Sequence, residues 1–240
     1  MDDRKPPQGL TGEALRAAVY FAITSRRSIR AFLPTPVARE EVEAILAVAS
    51  RAPSGTNTQP WKVHVLTGEP KARLSAALLA AHADPAVAAT HVEEWDYYPR
   101  EWVPPYLDRR RKMGWELYRL LGIEKIDRAR MHAQHGRNYA FFDAPVGLVF
   151  TIDRIMGRGS LLDYGTFLEA VMVAARARGL DTCPQAALMQ YHRIFAEQLS
   201  IPASEMMVCG MSLGHADMSR PENGIHTGRE PVDAFTTWHG

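Results

Sequence analysis

The chain has 240 residues, 46% of them hydrophobic and 23% charged, with a formal net charge of +1. That composition excludes disorder, collagen and coiled coil, and a balance of 28 Lys and Arg against 27 Asp and Glu gives no global attraction to nucleic acid or to an anionic membrane. The two cysteines, Cys183 and Cys209, lie far apart and outside any CxxC spacing, which argues against a disulfide scaffold or thiolate metal site and for a reducing compartment.

The opening Met1 to Gly9 has no apolar leader, and no window approaches the ~20 uncharged residues of a membrane helix, so the chain reads as cytoplasmic. Gly12 to Ser25 is predicted as a helix, with Leu15, Ala18, Val19 and Ala22 on one face. Arg26-Arg27-Ser28-Ile29-Arg30 follows at once. If extended, it sends Arg26, Ser28 and Arg30 to one side and Arg27 to the other. Those donors suit a phosphate or a carbonyl edge, and a solvated basic turn has the same composition.

A second helix is predicted after Pro36, acidic near its start, with Val42, Ile45, Leu46 and Ala49 on one face and Pro53 as its stop. Pro53-Ser54-Gly55-Thr56-Asn57-Thr58-Gln59-Pro60-Trp61 comes next. Its small hydroxyl and amide residues let backbone N–H groups approach a polar ligand, or simply build a turn. Trp61 to Thr67 is a strand. Val92 to Arg137 differs in character, setting Trp95, Tyr97, Tyr98, Trp102, Tyr106, Trp115 and Tyr118 among prolines and charges that include Arg109 to Lys112. It is either a helical excursion covering the core or an aromatic lid over a pocket. His132 and His135 within it have no acidic or cysteine neighbour at ligand spacing and are read as surface or lid histidines; no metal is assigned.

Ala144 to Ile152 is a continuous apolar run, the pattern of a strand covered on both faces. Leu161 to Arg178 is a long helix ended by Gly179. Pro184-Gln185-Ala186-Ala187 follows as a loop whose small residues leave N–H groups free to face a ring. Tyr191 to Leu199 is a shorter helix and Met206 to Leu213 another buried strand. Interleaved helices and strands around one sheet make the class α/β or α+β. Gly210-Met211-Ser212-Leu213-Gly214 matches the GxSxG elbow of serine hydrolases. An elbow needs a helix directly behind it and acid and histidine partners beyond, and residues 215–240 leave too little fold for either. The glycine fingerprints of dinucleotide and nucleoside triphosphate sites are absent.

Taken together, RRSIRAF, PSGTNTQPW, GLDTCPQA, CGMSLGH and TGREPV, in this order and spacing, resemble the nitroreductase family of FMN-dependent enzymes over nearly the whole chain, in its nitrobenzoate-reductase-like branch. The resemblance implies one α+β domain over residues 1–240, a central mixed and mainly antiparallel sheet flanked by helices, in an intertwined homodimer with FMN at the interface. It implies that Arg26, Ser28 and Arg30, with Arg27 beside them, hold the phosphate, ribityl chain and pyrimidine edge, and that Arg229 closes on the phosphate. Pro53, Ser54, Gly55 and Asn57 reach the flavin from the other subunit. Pro184, Gln185, Ala186 and Ala187 lie near N5 and O4, and Arg137 or Asn138 near the pyrimidine edge. Two positions depart from the family pattern: Thr227 stands where many relatives have a basic residue, and Ala140 where some have lysine. Arg30, with Arg137, is left to supply positive charge to the flavin.

The implied activity is NAD(P)H-dependent, ping-pong reduction of nitroaromatics or quinones, with no dedicated catalytic side chain because the flavin carries the chemistry. Reductive dehalogenation or flavin fragmentation on the same scaffold, and a non-catalytic flavin-binding protein, are the alternatives.

Overall fold

The computed structural model describes residues 9–240; residues 1–8, read above as free of a leader, lie outside the described part. Helix α1 (Gly12–Ser25) starts where Thr11 Oγ1 accepts from the Ala14 N–H at 3.2 Å. Of its apolar stripe only Ala22 is buried. Leu15 and Val19 stay exposed together with Tyr20, Phe21 and Ile23, because within this chain α1 leans on a single long helix, α7 (Arg158–Ala177). Helix α2 (Arg39–Ala49) buries Val42, Ile45 and Ala49 against the same helix.

Four strands form the sheet: β1 (Lys62–Leu66), β2 (Val146–Asp153), β3 (Asp181–Gln185) and β4 (Glu205–Gly214), in the order β1-β2-β4-β3. Every ladder in it is antiparallel, and the parallel pairing is a bridge between Ser28 and Thr182, by which the Arg26–Arg30 segment runs beside β3. The register of β2 on β4 slips once, between Phe150 and Thr151, and Val208 is the extra residue there.

Both faces of the sheet are covered. Leu148, Phe150 and Ile152 pack with α2 and α7, while Val149 faces Leu66, Leu74, Leu78 and Phe195 on the side of α3 (Gly68–Ala83) and α8 (His192–Leu199). This is why the β2 sequence is apolar throughout rather than alternating. Trp61 anchors the start of β1 by stacking on Phe167, ring centroids 4.8 Å apart.

Helix α3 does not stand out in the sequence because alanines surround its Leu74 and Leu78 and blur the apolar stripe. The Pro184 segment is likewise not a loop. Pro184 and Gln185 pair with Met211 and Gly210 as the end of β3, an edge-side placement that tolerates proline's missing N–H.

The aromatic segment contains helices, with α4 (Pro85–Ala88) leading into it and α5 (Tyr106–Leu120) and α6 (Arg128–Gly136) inside it. Its start is pinned to β4: Glu94 accepts from the Met207 N–H at 3.0 Å and Trp95 donates to the Met207 carbonyl at 3.1 Å. Its end is held where His132 stacks on His82 of α3, 3.8 Å between centroids. Between these anchors α5 has no fully buried residue. No helix among the described residues is long and apolar enough to cross a membrane.

Candidate cofactor and substrate site

A cavity of about 240 Å³ opens at the end of β3. Cys183 to Ala187 form its floor, Asn138 and Phe142 one wall, and Tyr98, Leu117, Tyr118, Gln134 and His135 of the aromatic segment its roof, with Arg30 reaching in from the side. The floor follows from local structure. Ala186 and Ala187 open a 3-10 turn (Ala186–Tyr191), and the first N–H groups of such a turn have no partner within it.

Arg30 is set by its backbone, which donates to Asn223 Oδ1 at 2.7 Å, while its guanidinium donates to the Ser28 carbonyl at 3.2 Å. Among the described residues it meets no carboxylate within 4 Å, so the cavity carries an uncompensated positive charge. Arg26 lies on the same side: it and Arg30 are the two cations that act on the Cys183 thiol, whose burial nevertheless pushes its pKa up to about 11. Arg26 Nε and Thr182 Oγ1 nearby are buried without a hydrogen-bond partner. Arg27 points the other way, its Nη1 2.9 Å from His226 Nε2, and lines a second cavity with Ile29 and Arg176. Arg27, expected beside the FMN-holding residues, is thus turned away from the cavity that Arg30 lines.

Of the pair Arg137 and Asn138, it is Asn138 that faces the cavity. Arg137 is engaged by the wholly buried Glu222 and by Asp143 at 3.0 Å, so its charge is neutralised rather than offered to a ligand. Pro53, Ser54, Gly55 and Asn57 are not among the residues around this cavity. They sit against the N-terminal half of α7, where the Gly55 N–H donates to Asp163 at 3.2 Å and the Pro53 carbonyl accepts from Thr166 at 3.2 Å. Thr56 and Asn57 there have φ of 50° and 60°, which keeps the turn tight and its surface exposed. Arg229 is also apart. It donates to Thr227 Oγ1 at 2.8 Å and lines a groove with Arg109 and Lys112, where Arg109 pairs with Glu230 at 3.1 Å.

The sequence left His135 on a lid surface, and the structure turns it into the roof. Burial holds its imidazole below the usual histidine pKa, with His82 and His132 adding to the effect, and its Nε2 is 3.2 Å from the Tyr139 hydroxyl. No local signal marks it, because its neighbours come from α3 and from the turn after α6. Phe142 escaped notice for the same reason. Ser212 is not a nucleophile: it is fully buried in β4 and hydrogen-bonded at 2.7 and 2.8 Å.

The glycines of GxSxG are explained by packing. A Cβ on Gly210 would collide with Leu188, and one on Gly214 would meet Pro145 at 2.6 Å.

The chain matches the model of the nitroreductase family over residues 23–215. It is 44% identical to a 4-nitrobenzoate reductase of Pseudomonas putida over 218 residues, 91% of this chain and 94% of the relative. It is 40% identical to a nitrobenzene nitroreductase of Ectopseudomonas oleovorans over 90% of this chain and 94% of that one. Its fold superposes with a TM-score of 0.88 on the FMN-dependent nitroreductase NfnB of Mycobacterium smegmatis in complex with NADPH, at 29% identity, covering 94% of this chain and 100% of that chain. With matches of this extent in both sequence and fold, the chain belongs to the nitroreductase family.

Proposed function

We propose that the chain is an FMN-dependent NAD(P)H oxidoreductase that reduces nitroaromatic compounds and works as a homodimer. The observation that carries this reading is the cavity at the end of β3: an Arg30 cation without a carboxylate partner among the described residues, N–H groups at Ala186 and Ala187 that their own turn leaves without a partner, and an aromatic roof from Tyr98 and Tyr118. The residues fit the cofactor. Arg30 would meet the pyrimidine edge, Asn138 offers its carboxamide from the wall, and Ala186 and Ala187 keep the floor low. When bound, FMN supplies the hydride chemistry that takes two electrons from NAD(P)H and passes them to an acceptor.

The chain's own residues supply everything else. Arg30 stabilises negative charge in a site from which water is partly excluded, where such an interaction is worth more than in bulk solvent. Tyr98 and Tyr118 accept a flat ring by stacking and shield it, so a nitrobenzoate or a quinone of similar shape fits while a bulky aliphatic does not. No carboxyl group lines the cavity, and in this reading solvent supplies the protons for a nitroso or hydroxylamine product.

The homodimer is supported by three features of the single chain. The cavity is below the roughly 300–1,000 Å³ of a complete small-molecule site. The Pro53–Asn57 turn is exposed away from it. The apolar stripe of α1 lies open.

The test is an anaerobic absorbance spectrum of the purified protein, taken before and after NAD(P)H and again after 4-nitrobenzoate. Bands near ~450 nm that bleach with the nucleotide and return with the nitro compound are expected. A colourless protein that FMN cannot reconstitute overturns the reading. Bound flavin that no NAD(P)H and acceptor pair can cycle leaves only a flavin-binding protein.

A further inference from the structure

Gly210, Ser212 and Gly214 share one face of β4, and Ser212 is the one of the three that carries a polar group. Its hydroxyl oxygen is 2.7 Å from Gln185 Oε1 and 2.8 Å from the Phe141 carbonyl. Gln185, 2% exposed, donates through Nε2 to the Asn138 carbonyl at 2.8 Å and lies 3.4 Å from Asn138 Oδ1. The carboxamide of Gln185 has a fixed sense. Turned round, it would press its oxygen against the Asn138 carbonyl, acceptor against acceptor. Ser212 therefore stands as donor at one end of a buried chain whose other end, Asn138, faces the cavity.

The second acceptor leads to the same wall. Phe141, Phe142 and Asp143 are three successive left-handed residues, with φ of 53°, 51° and 67°, a conformation that residues other than glycine avoid. Phe142 lines the cavity. The turn is held by Ser212 at the Phe141 carbonyl, by the Phe32 N–H at the Phe142 carbonyl at 3.2 Å, and by Arg137 at Asp143. A single hydroxyl proton serves two acceptors, one for each half of the wall.

We propose that Ser212, acting through Gln185 and the Phe141 carbonyl, is a positioning residue that sets Asn138 and Phe142 against the bound FMN and so tunes its affinity and electronic state. The role rests on the FMN reading above. Between Met211 and Leu213 in the core an alanine would pack as well, and the Ser212 hydroxyl, unlike that of Ser75, has its desolvation offset by two acceptors.

The experiment compares wild type with Ser212→Ala, Gln185→Leu and the double variant, with Ser75→Ala as control. Ser75 is also buried, but its hydroxyl has no partner and lies on α3. FMN dissociation from the reconstituted apoprotein, the flavin absorption maximum and its midpoint potential are read on each. The two single variants are expected to bind FMN on the order of tenfold more weakly, the double variant no weaker than the worse single, and both spectrum and potential to shift. Ser75→Ala should match wild type in all three. Should Ser212→Ala not yield folded protein, Ser212→Cys, a weak donor of similar shape, is read in the same way. Folded variants that equal wild type in affinity, spectrum and potential overturn the positioning role. A wild-type protein that binds no FMN overturns instead the cofactor reading on which it rests.

Discussion

Replacing Glu222 with alanine tests how the C-terminal segment governs the cavity. The carboxylate is fully buried, and its Oε1 receives both Arg137 and Arg220, the latter at 3.1 Å. Removing one member of a buried pair costs about 3–5 kcal/mol when the abandoned charge stays in the core. Here Arg220 is 47% exposed, Arg137 is 20% exposed, and Asp143 remains 3.0 Å from Arg137, so water and that second carboxylate recover part of the loss. About 2–3 kcal/mol is left, which in a domain of this size lowers Tm by roughly 4–12 °C.

The effect should reach the site as well. The neighbouring Asn223 accepts from the Arg30 N–H at 2.7 Å and donates to the Ala31 carbonyl at 2.8 Å, so a loosened segment frees the backbone that aims Arg30. Thermal unfolding followed by circular dichroism, with and without saturating FMN, and FMN dissociation measured beside it, read both consequences. Glu222→Gln, which keeps shape and a hydrogen bond, should fall between wild type and Glu222→Ala. A Tm within about 1 °C of wild type, or a lowered Tm with unchanged FMN affinity, would refute the reasoning.

Arg30→Ala removes the uncompensated cation of the cavity and should weaken FMN binding by roughly 10- to 100-fold in a fluorescence titration, with Arg30→Lys in between. Gly210→Ala forces a methyl into Leu188 and to 3.3 Å from the Leu148 carbonyl, and should cost about 1–3 kcal/mol in chemical denaturation; an unchanged midpoint would mean Leu188 moves aside freely.

The pH dependence has a definite sign. Burial holds His82, His91, His135 and His192 below the usual value near 6.5, so the unfolded chain binds more protons than the folded one in acid. Their contribution to stability is complete above about pH 6.5 and is lost as pH falls toward the lowered folded values. His135→Gln should flatten the fall in Tm between about pH 7 and pH 5, and an equally steep fall would exclude His135 as a source of it.

Much of the fold was legible because helices and strands write their burial locally. Val42, Ile45 and Ala49 announce α2, and the unbroken apolar run of β2 announces a strand sandwiched between helical layers. Arg27 and Arg30 face different cavities, as an extended segment with a period of two allows, so Arg27 stands apart from the cavity it was expected to serve. Helix α3 and strand β3 escaped notice, the first because alanine fills both of its faces, the second because it is five residues long and contains proline.

What the sequence by itself determined is the family, through short segments whose order and spacing survive being read in one dimension, and the set of polar residues those segments carry. What only the tertiary structure decided is which of them meet. Arg137 goes to Glu222 while Asn138 goes to the cavity, His135 becomes part of a roof, and Ser212 of the misleading GxSxG becomes the donor behind Gln185. The physical reason is that each meeting joins segments far apart in the chain; for Ser212 it is the register of β4 against β2 and β3, which sets it opposite Gly147 on one side and Cys183 on the other. A slip of one residue in that register would turn the hydroxyl to the opposite face of the sheet without changing a single local pattern.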